Sequence, residues 1–454
     1  MYTRVPPKRS YHSTAFLDGL RGIFALAVVN QHVLTAFQRF IFYGYGLSEE
    51  DSRKCSYRHE LVFDSTHIIQ LPIVRLIYSG DAGVCVFFVL SGFAISFRAL
   101  GRAHHQDWVG TFEALSSSVF RRGIRLFLPL VPATLMTMIS LQCGLWEAPR
   151  QLALDTTLFR GVPEDFPQRF DSFGMQILHW VRSWWRILYV WSWDETYLPP
   201  YDGHLWTIPV EFRASMVLYL TLLSVSRVIP LLRGIVLACC SFYAYCSGRW
   251  DVCLFLTGAL LADTAPIRQV EERRILQQRV MPKRAAWKTV FLVKVLHAVI
   301  TLVALFLLSG PAFCIELTPG YQFLASLIPS SDPQPFRFYP ILGSVLLVTM
   351  LVHGDSKSLL RRSLLDSFFA QYLGRISYSV YILHGPLFHV LGYRIFALSW
   401  QITGDFGSWR YIVGFLAGWM IFMVILVWMA DLFCRFVDEP SIRFAKWLES
   451  VMIV

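Results

Sequence analysis

The chain has few charged residues and a single asparagine, and both features limit the class of protein to which it can belong. Only 16% of its 454 residues are charged, whereas 55% are hydrophobic. A soluble domain carries about 25% charged residues. The composition therefore excludes an ordinary soluble enzyme and predicts an all-α integral membrane protein. Asn30 is the only asparagine, and since Gln31 and His32 follow it, the sequence has no acceptor site for N-glycosylation.

Signatures of metal and hydrolase chemistry are missing as well. The nine cysteines form no CxxC pair and no spacing typical of a metal site. A disulfide among Cys55, Cys143 and Cys314 stays open. No Gly-x-Ser-x-Gly motif is present. We therefore expect no bound metal or prosthetic group, and the net charge of +10 is interpreted as an orientation signal, with no nucleic acid as partner.

The apolar segments predict about ten transmembrane helices, with both termini cytosolic. A cytosolic arm (1–15) precedes the membrane domain (16–440), and a cytosolic tail (441–454) follows it. Basic residues fall in the loops on the side of the N-terminus, as the positive-inside rule requires for an even number of spans. The amphipathic segment 171–195 is interpreted as an interfacial anchor, or as part of a lid over an acceptor. The predicted spans are 18–42, 82–99, 126–146, 205–225, 228–246, 250–265, 290–309, 338–353, 375–398 and 410–434.

The first apolar span carries two polar residues that are costly in a bilayer. Arg21 and His32 are eleven residues apart, which is three helical turns plus about 20°. They share one helix face, roughly 16 Å apart along the axis. Ionisable residues within a membrane helix usually mark a functional path, although a histidine can also be a packed polar residue of the bundle.

Four further stretches carry candidate site residues. Arg122 and Arg125 share a helix face and suit a phosphate-bearing cosubstrate, or else lipid headgroups. Glu211 requires a partner, either Arg213 or an arginine of another helix. Gly80 to Phe93 contains small residues that allow close helix packing. Tyr378, Tyr381 and His384 lie on adjoining turns, where His384-Gly385-Pro386 forms either a helix break or a packed kink.

In this order, the motifs resemble those of the acyltransferase 3 family over residues 15–445. The resemblance rests on six stretches: Asp18-Gly19-Leu20-Arg21 with ten residues before His32; Phe87-Phe88-x-Leu90-Ser91-Gly92-Phe93; Arg122-x-x-Arg125; Leu205-Trp206-x4-Glu211; Ser377-Tyr378-x-x-Tyr381-x-x-His384; and Val437-Asp438-Glu439-Pro440.

The resemblance implies a multi-pass membrane O-acyltransferase that moves an acyl group, often acetyl, from acyl-CoA to a hydroxyl. It implies that His32 is catalytic and that Arg21, Arg122 and Arg125 contact the acyl donor. Trp206, Glu211, Tyr378 and His384 are candidates for acceptor binding or support. As a general base, a neutral imidazole could take the proton of the acceptor hydroxyl.

The acceptor is expected to be a small, apolar, hydroxylated molecule, such as a secondary metabolite or lipid, because the sequence is rich in apolar and aromatic residues and shows no extracytoplasmic SGNH domain. A sugar or glycan acceptor stays open. Two other classes stay open too: a transporter whose Arg and His line a translocation path, and a non-catalytic membrane scaffold.

Overall fold

The computed structural model describes residues 14–48, 50–51, 54, 65–162, 164–193, 196–277, 283–354, 358, 360–404 and 408–452, and for 266–277 and 283–290 the backbone alone. Within these ranges the protein is helical and has no strand. The predicted N-terminal arm lies almost wholly outside the described residues. The described helices are α1 (Ala15–Phe37), α2 (Gly80–His104), α3 (Trp108–Phe127), α4 (Leu130–Gln142), α5 (Glu147–Ala153), α6 (Phe173–Leu188), α7 (Thr207–Val225), α8 (Pro230–Cys246), α9 (Trp250–Gln277), α10 (Lys283–Leu308), α11 (Gln322–Ala325), α12 (Phe338–His353), α13 (Phe368–Leu387), α14 (Tyr393–Thr403), α15 (Trp409–Phe433) and α16 (Glu439–Met452).

Shorter helical turns connect these elements. The 3₁₀ turns are Arg39–Phe42, Ile68–Gln70, Val74–Tyr78, Gly203–Trp206 and Pro335–Arg337. Three π-helical segments follow or precede long helices: Leu360–Leu365, Phe388–Gly392 and Cys434–Asp438.

Seven helical stretches of the described chain are long and apolar enough to cross a membrane. The protein is therefore a helical, multi-pass membrane protein, as the composition predicts. Helix α8 is apolar but shorter. The seven stretches are Ala15–Phe37, Gly80–His104, Trp108–Gln142, Gly203–Val225, Phe291–Leu308, Pro335–His353 and Trp409–Met452.

Several predicted boundaries are wrong. Helix α1 ends at Phe37 instead of residue 42, because Gln38 has an extended backbone. Helix α3 begins at Trp108, far before the predicted start at 126, and the Asp107 side chain caps it by accepting from the Gly110 N–H at 2.9 Å. Hydropathy misses this start because the first half of α3 is amphipathic. The arginines of the Arg122 motif therefore lie inside a helix.

Of the two interpretations of His384-Gly385-Pro386, a helix break is wrong. Helix α13 continues through Gly385 and Pro386 and passes into the π segment Phe388–Gly392. Because proline lacks an N–H and its ring crowds the preceding turn, a local π segment accommodates it. The helical path then runs on through α14 to Thr403, beyond the predicted end at 398.

Helix α1 is held between α2 and α13, and glycines bring the helices close together. A Cβ at Gly22 would lie 2.5 Å from the Gly374 backbone N, and one at Gly374 would lie 2.1 Å from the Asp18 carbonyl. On α2, a Cβ at Gly92 would lie 2.2 Å from the Phe255 carbonyl of α9. The predicted close packing around Gly80–Phe93 is thus confirmed.

The only asparagine fixes α1 two residues before His32, about half a helical turn away. The Asn30 side chain donates to the Ile77 carbonyl at 2.8 Å and accepts from the Trp419 indole N–H of α15 at 2.9 Å. These two bonds satisfy a polar side chain in an apolar setting.

The predicted amphipathic segment and the predicted C-terminal tail both contain a helix. The predicted amphipathic segment contains helix α6, whose Trp185 is 79% exposed. The predicted tail is largely helix α16, which packs on α3 through an Arg121–Glu449 ion pair of 3.0 Å.

Of the three loop cysteines, Cys314 is disulfide-bonded, Cys143 is a free thiol, and Cys55 lies outside the described residues.

Candidate active site

A large cavity opens between α1, α2, α3, α7, α13 and α16. Its volume is about 1480 Å³. Seven cationic and four acidic side chains line it. Three of the cations also pair with two acids outside the lining, Glu449 and Asp431, which leaves an excess of one positive charge. The cations are Arg21, Arg121, Arg122, Arg125, Arg375, Arg435 and Lys446, and the acids are Asp18, Glu211, Asp438 and Glu439. The cavity therefore favours an anionic ligand.

Two arginines from adjacent turns of α3 have different environments in this cavity. The Arg122 guanidinium donates to Glu211 Oε1 at 2.7 Å and to Ser215 Oγ at 3.0 Å, both on α7. The Arg125 side chain is exposed to the cavity and makes no ion pair or hydrogen bond within the described residues. Arg125 is thus the better placed of the two for an external anion.

Glu211 pairs with an arginine of another helix, Arg122 of α3. Glu211 Oε1 accepts from Arg122 and from Ser91 Oγ at 2.9 Å. Arg213 instead lies 3.4 Å from Asp251 Oδ2. The α7 carboxylate thereby joins α2 and α3 at the cavity wall.

At its inner end the cavity is lined by Thr207 and Tyr381. Their hydroxyls are 2.6 Å apart, and the Tyr381 hydroxyl also donates to the His204 carbonyl. Tyr378 lines the cavity too and donates to the Leu126 carbonyl at 2.5 Å. The inner wall therefore leads directly to His204 and its neighbours.

Three histidines meet beyond this wall. His32 from α1, His204 from the turn Gly203–Trp206 and His384 from α13 have ring centroids 4.0 to 5.2 Å apart. His32 Nδ1 lies 2.6 Å from Glu164 Oε1, and His204 Nε2 lies 3.2 Å from the same oxygen. We call these three histidines with Glu164 and Asp202 the histidine cluster.

Asp202 builds the local structure that presents His204. Its Oδ1 accepts from the His204 backbone N–H at 3.1 Å, which caps the 3₁₀ turn, and lies 2.7 Å from His204 Nδ1. Gly385 of α13 provides the space, because a Cβ there would lie 2.4 Å from His204 Nδ1 and 2.9 Å from Asp202 Oδ1. The Asp202 carboxylate therefore holds the His204 imidazole, and the absence of a side chain at Gly385 leaves room for it.

Two further rings complete the surroundings of Glu164. His384 is 1% exposed and directs Nδ1 to the Tyr381 carbonyl at 2.6 Å. His389 directs Nδ1 to the Gly385 carbonyl at 2.9 Å, and its Nε2 lies 3.9 Å from Glu164 Oε2. The Nε2 atoms of both rings are buried without a hydrogen-bond partner.

Glu164 is ionised in this setting. Burial alone would raise the pKa of its carboxyl, but the adjacent His204 and His32 rings hold that pKa well below its usual value. The loop between α5 and α6 therefore brings a negative charge against the catalytic candidate.

The three histidines also offer ligand atoms within 4.8 Å of one another, a group that could hold a metal ion and that the sequence spacing did not indicate. A tetrahedral zinc with bonds of about 2.0–2.1 Å separates its ligand atoms by roughly 3.3 Å. His32 Nδ1 and His204 Nε2 are 3.0 Å apart, close to that value, and both also lie within hydrogen-bond distance of Glu164 Oε1.

The structure separates the predicted site residues into two groups. Arg21, Arg122, Arg125, Glu211 and Tyr378 line the cavity, where Arg21 lies 3.5 Å from Asp18. His32 and His384 lie in the histidine cluster. Trp206 points elsewhere and stacks with Arg337, whose guanidinium carbon is 5.4 Å from a Trp206 ring centre.

Sequence reasoning missed Glu164, Asp202, His204 and Gly385 as site residues. His204 directly precedes the Leu205-Trp206 motif, and that position could have drawn attention to it. Glu164 stands in a loop without a motif, so only the tertiary structure reveals it.

Comparison with known proteins identifies the family of the chain. A family model described as "Acyltransferase domain" (acyltransferase 3) matches residues 14–429. O-acetyltransferase PaAT-1 of Phomopsis amygdali is 29% identical over 97% of this chain and 85% of its own length. Acyltransferase R4 of a Phoma species and acyltransferase clz18 of Cochliobolus lunatus are 27% and 26% identical, each over 96% of this chain and over 96% and 95% of their own lengths. No solved structure matches. The chain belongs to the acyltransferase 3 family and is an acyl-transferring membrane enzyme.

Proposed function

We propose that the enzyme transfers an acyl group, in the first place acetyl, from acyl-CoA to a hydroxyl of a small apolar acceptor, with His32 as the general base. One observation carries the proposal: a cavity with a positive excess ends at Thr207 and Tyr381, directly beside the histidine cluster. Acyl-CoA is anionic at one end and reactive at the other, so its shape matches this path.

The phosphates of the donor bind near the mouth of the cavity. Arg125 is available there, and Arg21 adds a second cation on α1. Guanidinium groups bind phosphate through paired, charge-assisted hydrogen bonds. Arg122 supports the wall instead, because its Nε and one terminal nitrogen already bind Ser215 and Glu211.

The pantetheine arm extends towards Thr207 and Tyr381 and presents its thioester to His32. The His32 imidazole removes the proton of the acceptor hydroxyl as the oxygen attacks the thioester carbonyl. The tetrahedral intermediate collapses, the C–S bond breaks, and the imidazolium returns the proton to the CoA thiolate. The products are an O-acyl ester and CoA, so atoms and protons balance.

We further propose ten spans with both termini on the cytosolic side. The count of ten consists of the seven apolar stretches together with helix α8, the apolar first part of α9, and the continuous path α13–α14. The basic side chains that line the cavity mouth agree with an opening to the cytosol.

The acceptor is proposed to be a hydroxylated secondary metabolite or lipid. The relatives named above are fungal acyltransferases, one of them named an O-acetyltransferase. A glycan acceptor is the alternative within the same activity.

The test uses the full chain purified in nanodiscs with radiolabelled acetyl-CoA and extracts of hydroxylated metabolites. We expect label in an ester product and a loss of at least about 10³-fold on His32→Ala. His297→Ala is the control, because His297 lies on α10 and hydrogen bonds within that helix. Full activity of His32→Ala contradicts the proposal. Movement of solute across vesicles without acyl transfer favours a transporter.

A further inference from the structure

Glu164 and the Asp202–His204 pair have contacts that general-base catalysis by His32 does not by itself require. Three atoms meet at one point: His32 Nδ1, His204 Nε2 and Glu164 Oε1, with separations of 2.6, 3.0 and 3.2 Å. The site is enclosed, since the side chains of Glu164 and His204 are 16% and 11% exposed. How the protons are distributed among these atoms decides which nitrogen of His32 can act.

The proton positions follow from counting donors and acceptors. An ionised carboxylate only accepts, and a neutral imidazole has one N–H. His204 contacts Asp202 through Nδ1 at 2.7 Å and Glu164 through Nε2. Both contacts are hydrogen bonds only if His204 donates from both nitrogens and is an imidazolium.

His32 must then donate through Nδ1 to Glu164, which is its shortest contact. If Nδ1 carried a lone pair instead, it would face a carboxylate lone pair at 2.6 Å. The N–H on Nδ1 leaves the lone pair on Nε2. His204 Nε2 also lies 3.0 Å from His32 Nδ1. With both nitrogens protonated this is a contact between two donors that share one acceptor, Glu164 Oε1. The other neighbours are bonded elsewhere: His384 and His389 each direct Nδ1 to a backbone carbonyl, and Tyr381 donates to the His204 carbonyl.

We infer that Glu164 is a positioning residue that holds His32 in the tautomer with a free Nε2, and that the Asp202–His204 pair in turn fixes Glu164. This inference rests on the proposed function. The charges also suit the reaction. Two carboxylates and the His204 imidazolium leave one negative charge beside His32, which the imidazolium formed during proton transfer neutralises.

The first experiment compares Glu164→Gln with Asp165→Asn, an exposed carboxylate at the next position. We expect Glu164→Gln to lower kcat by about 10²- to 10⁴-fold with little change in KM for acetyl-CoA, because the donor cavity is separate. Asp165→Asn should retain wild-type kcat. Glu164→Asp should restore part of the rate.

A second readout separates positioning from a merely structural role. Removing the negative charge destabilises the His32 imidazolium, so the acid limb of the pH–rate profile should move to lower pH in Glu164→Gln. Asp202→Asn should lower kcat in the same direction by a smaller factor. Unaltered binding of acetyl-CoA shows that the variants are folded.

Three results overturn the inference. One is an equal rate for Glu164→Gln and the wild type while His32→Ala is inactive. Another is an unmoved acid limb in Glu164→Gln. The third is about one zinc ion per chain in the purified protein that His384→Ala removes, which makes the cluster a metal centre. By contrast, an active His32→Ala variant refutes the proposed function itself.

Discussion

The donor cavity and the histidine cluster lie next to each other, yet they handle charge in opposite ways. The cavity is open, holds an excess of cations, and leaves Arg125 without an ion pair among the described residues. The cluster is enclosed, and its charged groups contact one another within 2.6 to 3.2 Å. The unpaired Arg125 cation in the wide cavity can bind a charged ligand. The paired charges of the histidine cluster instead fix the geometry of a reacting group, His32.

This difference teaches how the two regions should respond to substitution. A change in the cavity should alter the affinity for the donor and its dependence on salt. A change in the cluster should alter the rate of the chemical step. Together with the tests of His32 and Glu164 above, the following predictions separate these two responses.

The largest effect among them is expected for Gly385→Ala. The new Cβ would lie 2.4 Å from His204 Nδ1, so His204 must move away from Asp202. We expect kcat to fall by about 10²-fold or more, since general-base catalysis depends on positioning, with an unchanged KM for acetyl-CoA. Gly101→Ala is the control, because a Cβ at Gly101 meets nothing within 4 Å. Wild-type turnover in Gly385→Ala would show that the His204 position is not required.

The comparison of Arg125→Gln with Arg122→Gln comes next. Arg125→Gln should raise KM for acetyl-CoA by about 10-fold, since a charge-assisted hydrogen bond contributes roughly 1.5–3 kcal/mol. Arg122→Gln leaves Glu211 without its cation and should mainly reduce thermal stability. Acetyl-dephospho-CoA sharpens the test: if Arg125 binds the phosphate that this analogue lacks, Arg125→Gln should affect the analogue much less. Equal shifts in KM for both substitutions would remove the distinction between the two arginines.

The fold and the cavity were more predictable from the sequence than the cluster. The Arg21 to His32 spacing indicates a shared helix face, and the Arg122 and Arg125 pair indicates a shared surface, because helical periodicity is local. Hydropathy misplaced the start of α3, since an amphipathic half-helix has no long apolar run. It also could not show that Glu164 reaches His32, a contact across 132 positions that depends only on how the loop after α5 is folded.

A smaller effect is expected for Tyr381→Phe at the boundary between the two regions. The substitution removes the hydroxyl that contacts Thr207 and the His204 carbonyl but keeps the ring. We expect kcat to fall by about 3- to 10-fold, corresponding to one neutral hydrogen bond of about 1 kcal/mol. Steady-state kinetics with saturating donor measures it, and Tyr243→Phe, at a side chain that is 74% exposed, is the control. A loss as large as that of His32→Ala would instead assign the Tyr381 hydroxyl a direct part in the chemistry.

The smallest effect concerns pH and stability. The pKa of Glu164 is lower in the folded protein than in the unfolded chain, because the adjacent His204 and His32 rings outweigh the effect of burial. A carboxyl with a lowered folded pKa stabilises the fold above its unfolded pKa of about 4.3, and this contribution is lost as the pH falls through the folded pKa. At pH 7 the wild type should therefore melt a few degrees above Glu164→Gln in nanodiscs, and the difference should shrink below about pH 4.3. A difference that stays constant from pH 7 to the acid limit would show that the charge of Glu164 does not stabilise the cluster, and that only its shape does.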